Sequence, residues 1–464
     1  MFGISLKEIL KATEARVVCE GIAKTFSGIS TDTRSLKAGD LFIALKGKNF
    51  NGHDFAGEAF RKGAAGVLVE CQIPKYQLRT VLCVDDTLKA FGDIAHYHRM
   101  KFEIPFIGVT GSSGKTTAKE MIYEVLNSQF HVLKNQGTEN NLVGLPQTLL
   151  RLDSQHDIAV VELGTNHFGE IKRLADILKP TVGIIINIGP SHLEFLKSEI
   201  GVFKEKTELL KNLDKNGTAI INADDKLLSK IKRLNCKTII RFGIGKTADF
   251  RATKIFQEKG MIKFIVNDKY DFRINLLGRH NIYNALAAIS VGFLHGVSYD
   301  NIYKAFLKFQ PVEGRLCLKK IGPITVIDDT YNSNPPSITA ALSVLSECKT
   351  GGRKIFVCGD MLELGKTTIR FHTEAGKVIS RMGVDYLICV GEFANIIRNA
   401  AIFGGMKKDV IFCCKDNTVV LKILKEILKD GDVLLLKGSR RIKLDEVLDA
   451  LSSFISPKRD MVRV

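Results

Sequence analysis

Phe106 to Leu126 reads FIGVTGSSGKTTAKEMIYEVL. An apolar run gives way to Thr110, Gly111, Ser112, Ser113 and Gly114, then to Lys115, Thr116 and Thr117 at the head of a helical pattern. The chemistry open to such a segment is phosphate binding. A strand that ends in small residues leaves successive backbone N–H groups free to close around an anion at the positive end of the following helix. Lys115 can then reach the β- and γ-phosphates of a nucleotide, and the Thr116 hydroxyl can ligate Mg²⁺. Val109 stands where the general G-x-x-x-x-G-K-[ST] pattern has its first glycine, so that signature is not strictly met. The bland alternative is a Gly-rich turn without a ligand, but a Lys and two Thr directly after Gly are poor turn residues without an anion.

Further candidates follow other apolar runs. In DIAVVELGTNHFGEI, Glu162 ends a strand pattern, where a carboxylate across from the phosphate loop could hold Mg²⁺ or simply be solvated. His192 ends the next run in the same geometric layer; a lone His is commonly structural, and this one is also placed to be a ligand or polariser. Lys204 and Lys206 sit in the helix-like GVFKEKTELL and point to different faces, so at most one faces the site; on the residues alone both read as surface lysines. LLGRHNIYNALAA opens a helix with Arg279, His280, Asn281 and Asn284. Asn281 and Asn284 share a face and either present amides to a base edge or cap the helix. Arg315 lies at the PVEGRL boundary, where an inter-domain Arg could meet a phosphate. Asp328, Asp329, Tyr331, Asn332 and Asn334 follow a strand that Pro335 and Pro336 stop. GDMLELG (Gly359 to Gly365) and KGSR (Lys437 to Arg440) also follow strands and would face the same cleft.

The elements that must position these groups alternate between strand and helix. Residues 1–100 form a small α/β unit with apolar runs at 40–45, 66–69 and 80–84, opened by an amphipathic helix over the first 18 residues. Residues 101–312 alternate more regularly, with strands at 106–109, 158–163, 182–188 and 218–222, a hairpin within 255–274 and a helix from Asn281 to Gly296. Residues 313–464 repeat the rhythm, with strands at 324–327, 354–358, 386–390 and 433–436. The fold class expected is α/β, built on mostly parallel sheets that bind ligands at the C-terminal ends of their strands.

Composition bounds the rest. The 464 residues exceed one core and suggest about three domains at ~100–200 residues each. Neither a charged-then-apolar leader nor an apolar run of membrane-spanning length is seen, and a cytoplasmic protein is expected. The ten cysteines include no C-x-x-C pair and read as reduced, buried thiols. The net charge of +17 is spread along the chain, which favours steering of polyanionic small substrates over a nucleic-acid patch.

Together these segments resemble the ATP-dependent Mur ligases of peptidoglycan synthesis. The likeness runs almost end to end, through TDTRSLKAGDLFIAL, NGHDF, TGSSGKTT, NNLVGLPQTLL, ELGTNHFGEI, HLEF, NADD, GRHNIYNALAA, EGRL, DDTYNSNP, GDMLELG and KGSR. DDTYNSNP and GDMLELG resemble most the member that adds D-alanyl-D-alanine to UDP-N-acetylmuramoyl-tripeptide. The resemblance implies three domains: a UDP-binding first domain, a central P-loop NTPase-like domain for ATP, and a C-terminal Rossmann-like domain for the dipeptide. It implies that Ser30, Thr31, Asp32, Thr33 and Arg34 lie near the uridine diphosphate, and that Lys437 and Ser439 contact substrate. Glu162 and His192 match metal positions beside Thr116, and Lys206 matches a lysine that relatives carry N-carboxylated on a metal, against its surface reading. Asn281 and Asn284 match the adenine region, Arg315 a phosphate contact, and Asp329 with Asn332 third-domain residues that complete the ATP site. Lys115, Lys206, His192, Glu162 and Asp329 would then be catalytic, with ATP and two Mg²⁺, in a monomer that binds no nucleic acid and spans no membrane.

Three positions depart from the family pattern: Ser113 for Asn, Phe168 for Pro, and Lys197 for a Gly that would allow positive φ. Two other classes stay open. Folylpolyglutamate synthase-like ligases share the phosphate loop and lysine logic but give no reason for DDTYNSNP. A nucleic-acid-stimulated P-loop ATPase would explain the charge but not the spacing from His192 to Lys206.

Overall fold

A computed structural model describes residues 3–47, 49–70, 79–137, 139–258, 260–348 and 351–455. Among them three large sheets lie along the chain, each covered by helices, as an α/β chain requires. The first sheet has five strands in the order 16–19, 80–83, 66–69, 41–43 and 29–30, antiparallel only at the first pair. The amphipathic helix expected over the first 18 residues is shorter, Leu6–Thr13. Glu14 takes a left-handed conformation (φ 56°) that ends it, and Arg16–Cys19 then pairs as a strand with Thr80–Cys83.

The central sheet has nine strands in the order 270–274, 261–266, 250–258, 238–243, 218–222, 182–185, 106–110, 158–162 and 132–134. From 132–134 to 238–243 all pairings are parallel, and the strands from 250 to 274 add an antiparallel meander where a simple hairpin was expected. After Phe106–Thr110 the chain first builds 132–134 and 158–162 on one side, then crosses to 182–185 on the other. The phosphate-loop strand is therefore the switch point, where an open parallel sheet leaves a crevice beyond its strand ends.

Helix Lys115–Asn127 turns Ala118, Met121, Ile122, Val125 and Leu126 onto the sheet, an i, i+3, i+4, i+7, i+8 stripe, all fully buried. Each of the four larger side chains contributes about 1.5–3 kcal/mol by leaving water. Helix Asn281–Leu294 is apolar nearly all round and packs into the same core. A Cβ on its Gly292 would meet Val125 Cγ1 at 2.7 Å, so the two helices approach closely because that residue has no side chain.

The third sheet has six strands in the order 317–321, 324–329, 433–437, 354–359, 386–390 and 411–414, antiparallel only at the first pair. Val433–Lys437 returns between 324–329 and 354–359, so Asp329, Lys437 and Gly359 end neighbouring parallel strands. Pro335 and Pro336 open the helix Pro335–Glu347, which Asn334 and Ser337 cap reciprocally; the strand before them already ends at Asp329. The nine described cysteines are all free thiols, but Cys413 is exposed and Cys19, Cys236 and Cys348 are half-buried; Cys71 lies outside the described residues.

Candidate active site

The central and C-terminal sheets point their strand ends at one cleft of about 910 Å³. Most of the residues singled out in the sequence line it: the phosphate loop from Ser112 to Thr117, Glu162, His192, Asn281, Asn284, Arg315, Asp329, Asn332, Lys437 and Ser439.

The phosphate loop is held by its neighbour at 187–191. Thr110 Oγ1 donates to Leu163 O at 2.8 Å, and Ser112 Oγ donates to Gly189 O at 2.9 Å. The expectation of a row of free N–H groups is only partly met. Ser112 N–H donates to Asn187 O at 3.1 Å, and Ser113 N–H donates to Asn187 Oδ1 at 3.0 Å. The donors left without a partner inside the helix are those of its first turn, from Lys115 onward. Gly114 precedes that turn with φ 77°, and a Cβ there would lie 2.7 Å from Asn284 Oδ1, so this position needs glycine twice over.

Glu162, 2% exposed, accepts from Thr116 Oγ1 at 2.7 Å and from Asn140 Nδ2 at 2.7 Å, while its own N–H donates to Asn135 Oδ1 at 2.9 Å. A hydroxyl and a carboxylate held this closely are hard oxygen donors of the kind Mg²⁺ takes. Burial lowers the Lys115 ammonium below its usual range; Glu162 opposes the shift and Arg315 adds to it.

Lys204 and Lys206 do separate onto different faces of helix Glu199–Lys211: Lys204 is exposed and Lys206 is completely buried. The surface reading of Lys206 is thus overturned. Its Nζ finds no hydrogen-bond partner among the described residues, and burial, reinforced by Lys115, pushes the amine well below its ordinary value. Glu205 beside it turns away to accept from Ile171 N–H at 2.7 Å and Gly169 N–H at 2.8 Å.

His192 sits in a left-handed conformation (φ 52°), and its Nδ1 lies 2.5 Å from Glu363 Oε2, a residue of GDMLELG on the C-terminal unit. Burial lowers its pKa, against the pull of the Glu363 hydrogen bond. Lys197 takes the positive φ (66°) that a glycine would accept without strain.

Arg315 stacks on Tyr331, its guanidinium carbon 4.0 Å from the ring centroid. Asn281 and Asn284 do share a face, yet they serve each other: Asn284 Nδ2 donates to Asn281 Oδ1 at 2.7 Å, and Asn281 Nδ2 donates to Leu277 O at 2.7 Å. Asn281 does not cap the helix, which begins after His280 with no side-chain cap. Ser439 Oγ accepts from Leu362 N–H at 2.9 Å. Asn334 Nδ2 reaches Ser112 O at 3.3 Å, so the C-terminal unit touches the phosphate loop directly.

Ser30, Thr31, Asp32, Thr33 and Arg34 lie apart from the cleft, on the first unit. Asp32 and Arg34 pair at 2.6 Å with the Arg34 side chain 87% exposed, and Gln147 Nε2 of the central unit reaches Thr31 Oγ1 at 3.4 Å. Sequence reasoning gave no role to Asn140, Asn187 or Glu363. The first stands in NNLVGLPQTLL and the last in GDMLELG, both already conspicuous, but their partners lie far along the chain.

Three family models match the chain: the Mur ligase family catalytic domain over residues 25–99, the Mur ligase middle domain over 109–292, and the Mur ligase glutamate ligase domain over 314–440. The UDP-N-acetylmuramoyl-tripeptide--D-alanyl-D-alanine ligase of Bacillus subtilis is 35% identical over 450 residues, covering 96% of this chain and 97% of its own length. The crystal structure of MurF from Acinetobacter baumannii superposes with a TM-score of 0.89 at 30% identity, covering 97% of this chain and 99% of that one. MurF ligase from Thermotoga maritima, solved in complex with ADP, gives a TM-score of 0.82 at 27% identity over 92% of this chain and 97% of its own. With relatives alike from end to end, the chain belongs to the Mur ligase family.

Proposed function

We propose that this chain is the ATP-dependent ligase that joins D-alanyl-D-alanine to UDP-N-acetylmuramoyl-tripeptide. The observation that carries the reading is a buried, unpartnered Lys206 amine close to the phosphate-loop Lys115, in a chain alike along its whole length to ligases of that name.

A carboxylate is a poor acylating agent, so activation comes first. The terminal carboxylate of the tripeptide attacks the γ-phosphorus of ATP, the bond to the β,γ-bridging oxygen breaks, and an acyl phosphate and ADP result. The free amine of D-alanyl-D-alanine then attacks the acyl carbon, phosphate leaves with the former carboxylate oxygen, and the amine sheds a proton. Phosphoryl transfer needs positioned positive charge above all. Lys115 and Arg315 supply it from two sides of the cleft. Asp329, Asn332, Lys437 and Ser439 bring the C-terminal unit to the reaction centre, and the docked unit keeps water from a hydrolysable intermediate.

The donor set fits divalent metal: Thr116 and Glu162 would hold one Mg²⁺, and His192 with Lys206 a second. Bound there, Mg²⁺ would screen the charge on the phosphates. Lys206 fits that role once carboxylated. A neutral amine adds CO₂ to give a carbamate and release a proton, and burial favours the neutral amine that this addition needs. Residues 1–100 hold the uridine nucleotide through Ser30 to Arg34, residues 101–312 hold ATP with its base toward Asn281 and Asn284, and residues 313–464 receive the dipeptide. The enzyme works as a cytoplasmic monomer; among the described residues no helix is long and apolar enough to cross a membrane.

The test is ADP release by purified protein with ATP, Mg²⁺, UDP-N-acetylmuramoyl-tripeptide and D-alanyl-D-alanine, omitting each in turn. Release that needs both co-substrates and yields the pentapeptide is the expected result, and comparing lysine with diaminopimelate in the tripeptide fixes its third residue. Release that ignores both and responds to a folate with glutamate, or to DNA, would overturn the reading.

A further inference from the structure

The contact between the central and C-terminal units is built around Glu363, a residue the proposed chemistry does not use. Its carboxylate meets His192 Nδ1 at 2.5 Å, and its carbonyl accepts from Glu194 N–H at 3.0 Å, so side chain and backbone of one residue grip the same short turn. Two residues on, Gly365 (φ 54°) passes so near that a Cβ there would lie 2.8 Å from Glu194 Cα. Both partners hold unusual backbone: Glu363 (φ 61°) and His192 (φ 52°) are left-handed without being glycine. Such conformations persist where surrounding structure over-determines them, and they cluster at switch and ligand sites. The Glu363 side chain is 41% exposed, so as a stabilising ion pair it would contribute little.

What the contact does determine is the imidazole. A carboxylate can only accept, so Nδ1 must carry the ring proton, and in the neutral ring the lone pair then falls to Nε2. We propose that Glu363 is a positioning residue: docking of the C-terminal unit delivers its carboxylate to His192 Nδ1, so closing the cleft and setting the His192 tautomer are one event. A neutral imidazole free in solution favours the opposite tautomer, with the proton on Nε2. In the undocked enzyme His192 would therefore present a donor to the cleft, where a ligand to metal or phosphate-bound metal must present a lone pair. The inference rests on the reading of His192 as a reaction-centre residue.

The experiment uses the full chain labelled with ¹⁵N-histidine and saturated with a non-hydrolysable ATP analogue, the His192 signals being identified by their loss in His192→Ala. The wild type is expected to show the Nδ1–H tautomer. Glu363→Ala should shift His192 toward Nε2–H, whereas Glu363→Gln, whose amide oxygen still accepts, should keep Nδ1–H. Gly365→Ala, which props the units apart without touching the carboxylate, should also lose it. In parallel, Mn²⁺ binding followed by electron paramagnetic resonance should weaken about 10–100-fold in Glu363→Ala and little in Glu363→Gln. An unchanged His192 tautomer in Glu363→Ala, or equal losses in the Ala and Gln variants, would overturn the proposal and make Glu363 a packing contact. If instead the tautomer follows Glu363 while His192→Ala turns over normally, the positioning stands and the role assigned to His192 falls.

Discussion

Asp329 and Lys437 face each other from adjacent parallel strands in register, with Lys437 Nζ 2.6 Å from Asp329 Oδ2 in a pair almost wholly out of water. Lys437 also donates to Asn332 O at 2.8 Å, tying the DDTYNSNP turn to the KGSR strand. Breaking a buried pair by removing one partner strands the other charge and costs about 3–5 kcal/mol. Asp329→Asn should thus lose about 3 kcal/mol in denaturant unfolding, and turnover with it. Asp329→Asn with Lys437→Met should regain most of the stability and none of the turnover. A single variant as stable as the parent would show that the pair is not the strut described.

Lys206→Ala should lower ADP release by about 10²–10³, the usual loss for one electrostatic stabiliser, while Lys204→Ala, on the exposed face, changes little. The carbamate has its own signature: ¹³C-labelled bicarbonate should give a carbamate resonance in the parent that is missing from Lys206→Ala. Near-normal turnover in that variant would sink the assignment.

The same lysine makes a stability prediction of opposite sign. Burial holds the folded amine well below 10.5, so between that lowered value and 10.5 the unfolded chain binds a proton that the folded chain does not, and at lower pH folding carries the whole penalty. Lys206→Met should therefore raise the unfolding free energy at pH 7, with the gain shrinking as pH climbs toward 10.5. Unfolding of enzyme stripped of CO₂ and metal, followed at pH 7 and pH 10, reads both points.

Gly114→Ala meets two obstacles, a left-handed φ and the Asn284 amide. A loss of about 1–2 kcal/mol in stability and weaker nucleotide binding are expected. Adding Asn284→Ala should relieve the clash and leave the backbone strain. Isothermal titration with ADP distinguishes the two; full recovery in the double variant would mean that φ carries no cost there.

Where the first unit meets the central one, Lys101 and the Ser5 backbone hold the Glu8 carboxyl at about 2 against a usual 4.5. Its folded value is depressed, so it stabilises above pH 4.5, and that contribution disappears as pH falls from 4.5 through about 2. The side chain is 28% exposed, and solvent screening reduces the effect to about 1 kcal/mol. Glu8→Gln should flatten the acid limb of stability by that amount and leave the curve above pH 6 parallel to the parent's.

Much of this was legible because local pattern and global fold agree: the apolar run, the small residues and the Lys-Thr-Thr helix start each specify the phosphate loop without reference to anything distant. The alternation of strands and helices likewise marked out the central and C-terminal sheets. The edge strands Val132–Lys134, Cys317–Ile321 and Ile411–Cys414 escaped: the first and last are short, and Cys317–Ile321 folds straight back on the next strand, outside the alternation of strands and helices. Lys206 was half legible: helical period says that it and Lys204 diverge but not which one turns inward, since that depends on the sheet beneath. The pairing of His192 with Glu363 could not be read at all, because it is made between residues 171 apart by the docking of two separately built sheets. Asn281 and Asn284 show the limit of side-chain chemistry read from spacing. Their shared face was correct, yet the first partner each amide finds is its neighbour.

Asn187 turns the phosphate loop into a lock that carries its own blank key. Its carbonyl and side-chain oxygens occupy the amides of Ser112 and Ser113, so those amides already have partners. An incoming anion gains from them only by evicting a neutral oxygen, and the net return is the difference between two hydrogen bonds, not the whole of one. That exchange is close to break-even for an uncharged or weakly charged group and favourable for a polyphosphate. Discrimination against poorly charged ligands is thus built into the loop itself, independent of any contact with base or sugar.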